Sequence, residues 1–323
     1  MLARKEIKQS QGKSLVPVVI TTCNRPDKLK QLLKSLGRCY LARQTEVHIF
    51  VDAPFAVTVQ EKNKKIIRLA RSWRGFKKVH LTKRKKNLGS VDNLEKALQF
   101  MFKRHKAVIF LEDDNIVSKN FLDFMNQSLG AFQDDPQCFS ICGYSYTCPP
   151  HRKLKTDIYT APYFSAWGTG LFRHRYFPIR EILGRKPDPF FLSPGRIWKC
   201  LNYMPHLFRL YMEAWLQKKI CHDLLYSLIS LKQKKYSVFP VNTKVINKGF
   251  DGSGIHCGFS HHQFYSEFAD ENRRNFRLDP EIEVNSLFLK KNREFFKKFF
   301  SASFRHEASL YWRYARRALG LRR

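Results

Sequence analysis

The stretch that most constrains this chain runs from Lys106 to Phe124. An apolar run, Ala107 to Leu111, has the length and composition of a buried strand. It ends on three successive carboxylates, Glu112, Asp113 and Asp114, and Phe121, Leu122, Met125 and Leu129 then recur at helical spacing. A strand that delivers acids to its carboxyl end is one way to build a site in an open α/β sheet. Side chains alternate along extended backbone, so Glu112 and Asp114 share one side and Asp113 takes the other. Three adjacent negative charges repel one another, and a hard divalent cation with oxygen ligands offsets that repulsion. The plainer reading of the same residues is a solvated acidic turn that caps the next helix.

Upstream, strands and helices alternate. Leu15 to Thr22 reads as a buried strand, and Cys23 to Asp27 as the turn after it, with Pro26 suited to a first helical turn. Leu29, Leu32, Leu33 and Leu36 form one helical face. Glu46 to Val51 is a second strand, ending at Asp52-Ala53-Pro54. Residues 58 to 74 form a basic helix with Val59, Ile66, Ile67 and Leu69 as apolar positions. Val79 to Thr82 is a third strand, Asn87 to Ser90 a loop, and Val91 to Phe102 a helix carried by Leu94, Ala97, Leu98 and Met101. This succession predicts an α/β fold with a mostly parallel sheet and helices on both faces. Asn24, Arg25, Asp52, Asn87 and Asp114 then fall at the carboxyl ends of strands, where ligands bind. There is no Gly-x-Gly-x-x-Gly after the first strand and no Walker A motif, which argues against a dinucleotide or P-loop enzyme.

The charge narrows the partners. A formal net charge of +32 over 323 residues points to an anionic partner: nucleic acid, an anionic membrane surface or a phosphorylated substrate. Hydrophobic content of 43% with 28 Phe marks a globular chain. No stretch reaches the roughly 18 apolar residues of a membrane span, and residues 1 to 13 are polar and basic, unlike a secretory signal. The eight Cys are scattered, as in reduced cytosolic proteins.

Four blocks carry a resemblance: PVVITTCNRPDKLKQLLKSL, IFVDAP, NLGSVDNLEKAL and VIFLEDDNIVSKNFLDFM. They resemble the nucleotide-sugar half of GT-A-fold (Rossmann-like) glycosyltransferases, above all the family-two-like bacterial enzymes that build surface polysaccharide. The EDD block is also similar to that of the N-acetylglucosaminyltransferase of N-glycan branching. The resemblance covers residues 14 to 265, with the nucleotide-sugar half at 14–150 and the acceptor half at 151–265. It leaves a basic segment at 1–13 and a basic aromatic helical tail at 266–323.

The resemblance implies a hexosyl- or N-acetylhexosaminyl-transferase with a DxD-like motif, using Mn²⁺ or Mg²⁺. Asp114 is then the metal ligand, with Glu112 and Asp113 near the ribose and sugar. Asp52 contacts the base or ribose, and Arg25 the base or diphosphate. Thr21 and Asn24 are further donor contacts, and Asn87, Gly89 and Asn93 line the nucleotide loop. The aromatic, glycine-rich segment from Tyr163 to Gly170 looks like the floor beside the donor sugar, through Trp167 and Gly168. Cys221-His222-Asp223 before a helix, then Pro240, Asn247 and Gly249, then His256, resembles the acceptor-side pattern. His222 replaces the usual Trp there. By this likeness Asp223 is the general base and His256 a metal or diphosphate contact, with His261 and His262 as competitors. The implied partners are a nucleotide-diphosphate sugar and a surface-polysaccharide, lipopolysaccharide or lipid-linked glycan acceptor.

The tail carries eleven basic residues against two acidic ones between 289 and 323, with Phe295, Phe296, Phe299 and Phe300 opposite Lys297 and Lys298. A basic helix with an aromatic face reads as a membrane-surface anchor. That places the enzyme in the cytoplasm, peripheral on the inner membrane. A helix packed on the body is the competing reading. The charge also suits a nucleic-acid-binding protein, but no such motif is present and nucleic acid is not expected as a partner. A non-catalytic sugar-nucleotide-binding protein is the remaining alternative.

Overall fold

A computed structural model describes residues 14–146, 155–176, 192–217, 222–249, 251, 268–279, 286–300 and 304–320. Its frame is an eight-stranded sheet in the order β3-β2-β1-β4-β8-β6-β9-β7. The first four strands are β1 (Val18–Thr22), β2 (Glu46–Val51), β3 (Lys78–Lys83) and β4 (Ala107–Glu112), all parallel. β1 lies between β2 and β4, and its Val18, Val19 and Ile20 are fully buried.

Between these strands run α1 (Pro26–Gly37), α2 (Gln60–Ser72) and α3 (Gly89–Phe102). Strand order reverses after β3, so right-handed crossovers put α1 and α2 on one face and α3 on the other. Pro26 opens α1, and Leu29, Leu32, Leu33 and Leu36 are its buried face. The buried positions of α2 are Asn63, Ile66 and Ala70; Ile67 and Leu69 are only partly covered. Helix α3 begins at Gly89, two residues before the apolar pattern starts.

The second half of the sheet mixes directions. β8 (Thr169–Phe172) runs antiparallel between β4 and β6 (Cys138–Cys142), β9 (Tyr236–Pro240) is parallel to β6, and β7 (Ile158–Ala161) closes the edge antiparallel to β9. A two-stranded ladder, β5 (Asn115–Val117) against β10 (Val245–Asn247), follows directly on the acid triplet. The later helices are α4 (Phe121–Ala131), α5 (Pro194–Tyr203), α6 (Pro205–Gln217) and α7 (His222–Lys232). The chain is therefore a mixed α/β protein built on a mostly parallel sheet, the class its sequence predicts.

The tail corrects one expectation. Its helices are α8 (Ser286–Phe300) and α9 (Phe304–Ala318). Two residues of the aromatic face assigned to lipid, Phe295 and Phe296, meet the body instead. Phe296 is 1% exposed, with its ring 4.8 Å from Tyr146 and 4.9 Å from His206. Phe288 stacks on Tyr159 at 4.2 Å, and buried Asn292 donates to the Tyr159 and Tyr163 hydroxyls. Leu310 and Tyr314 of α9 are buried as well, and α9 packs on α6. Burial of a Phe side chain is worth about 1.5–3 kcal/mol, so the competing reading, a packed helix, holds at Phe288 and Phe296. The side chains of Phe299 and Phe300 lie outside the described residues. No helix among the described residues is long and apolar enough to cross a membrane.

Candidate functional site

The carboxyl ends of β1 and β4 converge on the acid triplet. Thr22, the last residue of β1, donates its hydroxyl to Asp113 Oδ2 at 2.7 Å. Arg25, at the entrance to α1, bridges two acids: one guanidinium nitrogen donates to Asp114 Oδ2 at 2.8 Å and the other to Asp113 Oδ1. Asn115 donates to Asp114 Oδ1 at 3.2 Å, and its own Oδ1 accepts the Glu112 N–H at 3.1 Å. From the other side β10 leads Asn247, Lys248 and Gly249 over the triplet. The Lys248 N–H donates to the Asp114 carbonyl at 2.9 Å. A Cβ at position 249 would collide with Asp114 Oδ2, so only glycine allows this close approach.

Asp223 joins the group from the first turn of α7. Its Oδ1 accepts the Ala166 N–H, which ties α7 to the segment before β8. The carboxylate therefore bonds across the fold as well as opening a helix.

Three acids thus gather round the Arg25 guanidinium, with Asp223 close enough to act on Glu112, and their proton affinities record the imbalance. Burial raises Asp113 to about 6; Arg25 opposes the rise and Asp114 adds to it. Glu112 is pushed well above the carboxylate range by burial, then by repulsion from Asp114 and Asp223. Burial lifts Asp223 to about 7 against the Ala166 hydrogen bond. Burial works against the charge of Arg25, but Asp113 and Asp114 outweigh it and hold the proton more firmly.

This donor set suits a hard divalent cation: the groups are all oxygens, and buried negative charge exceeds the positive charge beside it. Among the described residues, no three of these acids bring ligand atoms within 4.8 Å of one another, so they supply only part of a coordination shell. His256, like His261 and His262, lies outside the described residues.

Other expected donor contacts have structural work. Both Asp52 oxygens hold the loop that opens α3, accepting the Gly89 N–H at 2.8 Å, the Leu88 N–H at 2.9 Å and the Asn87 amide at 3.2 Å. Gly89 sits at φ +79, a conformation that favours glycine. Asn93 is buried under this loop, accepting from Arg84 at 2.9 Å and donating to the Phe50 carbonyl at 3.2 Å. Trp167 packs edge-on against Tyr144 at 4.7 Å. Gly168 is at φ +70, and a Cβ there would meet Val245 and Phe121, so its glycine is explained by core packing. Thr21 pairs in register with Glu112, and Asn24 lies half-buried at the rim.

Thr22, Asn115 and Asn63 are site residues that the sequence reading passed over. Asn63 donates to the Cys23 carbonyl at 2.7 Å and the Asp52 carbonyl at 2.8 Å, joining the ends of β1 and β2. Its signal was available: it occupies a buried phase of α2 with Ile66 and Ala70. A cavity of about 360 Å³ opens beside it, lined by Asp52, Pro54, Ile67, Lys83, Arg84 and Lys85.

No family model matches the chain, and no curated protein matches it in sequence. Among solved structures it is similar to glycosyltransferases. TarS of S. aureus is 17% identical with a TM-score of 0.35, covering 70% of this chain and 36% of TarS. Residues 1–349 of TarS in complex with UDP-GlcNAc are 15% identical with a TM-score of 0.35, covering 70% and 58%. The mannosyltransferase PcManGT from Pyrobaculum calidifontis, in complex with GDP-Man and Mn²⁺, is 14% identical with a TM-score of 0.37, covering 67% and 69%. The chain spans little more than a third of TarS, and at these TM-scores the likenesses add no weight to any residue's role.

Proposed function

We propose that the chain is a GT-A-type glycosyltransferase that moves a sugar from a nucleotide-diphosphate sugar to an acceptor hydroxyl with inversion. The observation that carries this reading is Asp223, a half-buried carboxylate raised to about 7 beside an acid triplet at the carboxyl ends of the strands. A general base works best when its pKa lies near the working pH.

In this reading the base of the nucleotide enters the cavity beside Asp52 and Asn63, with Asn87, Gly89 and Asn93 shaping its loop. Lys83, Arg84 and Lys85 surround that cavity with positive charge suited to a diphosphate. Arg25 leaves Asp113 and Asp114 to meet the phosphates. Thr21, Asn24, Glu112 and Asp113 border the ribose and sugar, and Trp167 and Gly168 back the sugar. Asp223 takes the proton from the acceptor hydroxyl as the anomeric bond forms on the opposite face. Mn²⁺ or Mg²⁺, when bound at Asp114, supplies Lewis-acid stabilisation to the departing diphosphate. His256 is a further ligand in this proposal.

One observation favours a second reading. The Arg25 guanidinium already bridges Asp113 and Asp114, and a guanidinium can neutralise charge without a metal. A metal-independent transferase would use it in place of the cation. A donor-hydrolysis screen over UDP-, GDP- and dTDP-sugars, with and without EDTA, separates the two. The metal reading expects turnover that EDTA and Asp114→Asn abolish. Full turnover in EDTA selects the guanidinium reading.

The acceptor belongs to the proposal too: a glycan of surface polysaccharide or lipopolysaccharide, or a lipid-linked glycan, met at the cytoplasmic face of an anionic membrane. The net charge of +32 supports it, as do exposed Trp198 and Trp312 on α5 and α9.

A further inference from the structure

A second cluster lies at the opposite end of the sheet. Glu46 and His48 are two residues apart on β2 and share a face. His80 stands beside His48 in the parallel register of β3. Each of the three offers a ligand atom within 4.8 Å of the other two, and among the described residues no other trio does so. His105, in the turn after α3, brings a third ring edge-on, 6.1 Å from His48.

Two features set this trio apart from ordinary packed histidines. The first is unmet polarity: His48 is 9% exposed, and its Nε2 is buried without a hydrogen-bond partner. Buried polar atoms are normally paired, and unpaired ones call for an explanation such as an ion. The second is the face-to-face arrangement of the imidazoles, 4.2 Å apart and 5° from parallel, with His80 Nε2 3.4 Å from Glu46 Oε2.

We propose that Glu46, His48 and His80, with His105 as a fourth group, form a binding site for a divalent transition metal of the zinc type. Two or three imidazoles with one carboxylate match the ligand preference of Zn²⁺. Mn²⁺ and Mg²⁺ are drawn instead to the all-oxygen triplet, so ligand chemistry keeps the two sites apart. Four residues of strand separate His48 from Asp52, roughly 13 Å at about 3.3 Å per residue. The metal joins edge strand β3 to β2 and takes no part in transfer.

Coordination has a geometric requirement. A ligated metal lies in the plane of each imidazole, so the stacked rings cannot share one ion as they stand. His80, at the half-exposed edge strand, turns out of the stack when metal binds. Lys77 already pairs with Glu46 at 2.9 Å, and Lys78 and Arg104 lie close to His48 and His105. These cations weaken the site, and Glu46 must exchange Lys77 for the metal.

The test uses the full chain carrying Asp114→Asn, stripped with EDTA and dialysed. Zn²⁺ is titrated calorimetrically, and melting is followed with Zn²⁺ or Mg²⁺ added. The proposal expects a Zn²⁺ site that weakens at least tenfold in His80→Gln and in Glu46→Gln, with a melting shift produced by Zn²⁺ and not by Mg²⁺. Histidine ring resonances should show His80 leaving the stack. Equal Zn²⁺ number and affinity in the parent and in His80→Gln would overturn it, as would Zn²⁺ binding with no melting shift. His48→Gln adds a buried ligand loss; if it fails to fold, the two rim variants still decide.

Discussion

Replacing Asp223 by asparagine removes a half-buried, desolvated acid and keeps an oxygen for the Ala166 N–H. In the fold desolvation lifts the carboxyl to about 7, against an ordinary aspartate value of about 3.9. Below about pH 4 the folded and unfolded chains both hold the proton. Between about 4 and 7 only the folded chain keeps it, so the unfolded chain binds fewer protons and stability falls as pH rises. Above about 7 the loss is complete. A shift of about three units at about 1.36 kcal/mol each amounts to about 4 kcal/mol. Asparagine is neutral throughout and escapes this loss. Asp223→Asn should therefore match the parent near pH 4 and exceed its stability by up to about 4 kcal/mol at pH 8. Urea unfolding at half-unit steps from pH 4 to 8 measures the difference. A difference flat with pH, or a variant less stable than the parent at pH 8, would refute the buried-acid reasoning.

Arg25→Ala leaves Asp113 and Asp114 as unpaired buried charges. Stability at pH 7 should drop by about 3 kcal/mol and recover in part toward pH 5 as Asp113 gains its proton, read from the same unfolding series. Gly168→Ala forces a side chain into φ +70 and against Val245, and should lower stability by more than about 2 kcal/mol by thermal melting. Phe296→Ala should cost about 3 kcal/mol in chemical unfolding, because the ring fills a pocket between Tyr146, Tyr163 and His206. An unchanged midpoint would return that face to the membrane reading.

The first four strands and three helices were legible because each carries its own period: Val18 to Ile20 and Val108 to Leu111 are buried on both faces, and the leucines of α1 recur at helical spacing. The strand-end position of the triplet followed from the same local pattern. The order of the remaining strands did not, because β8 between β4 and β6 is joined to them only by distant register. The site divided the same way. Arg25 and the triplet were found, but their mutual pairing depends on 88 and 89 residues of separation in the chain. Gly168 looked like a ligand-facing glycine, and only the position of Val245 gives its packing reason. An amphipathic tail looks the same in sequence whether lipid or Tyr163 covers Phe296.

The most direct test of the central claim compares the parent with Asp223→Asn on whichever nucleotide sugar the donor screen identifies, measuring turnover and donor affinity together. The account predicts that turnover falls by about 10² to 10⁴ while donor affinity stays within about twofold. It also predicts that the parent's kcat/KM rises with pH through about 7, as Asp223 loses its proton, and that this rise is absent in the variant. Unchanged turnover in Asp223→Asn, or donor binding that collapses with it, would contradict the assignment of Asp223 as the base.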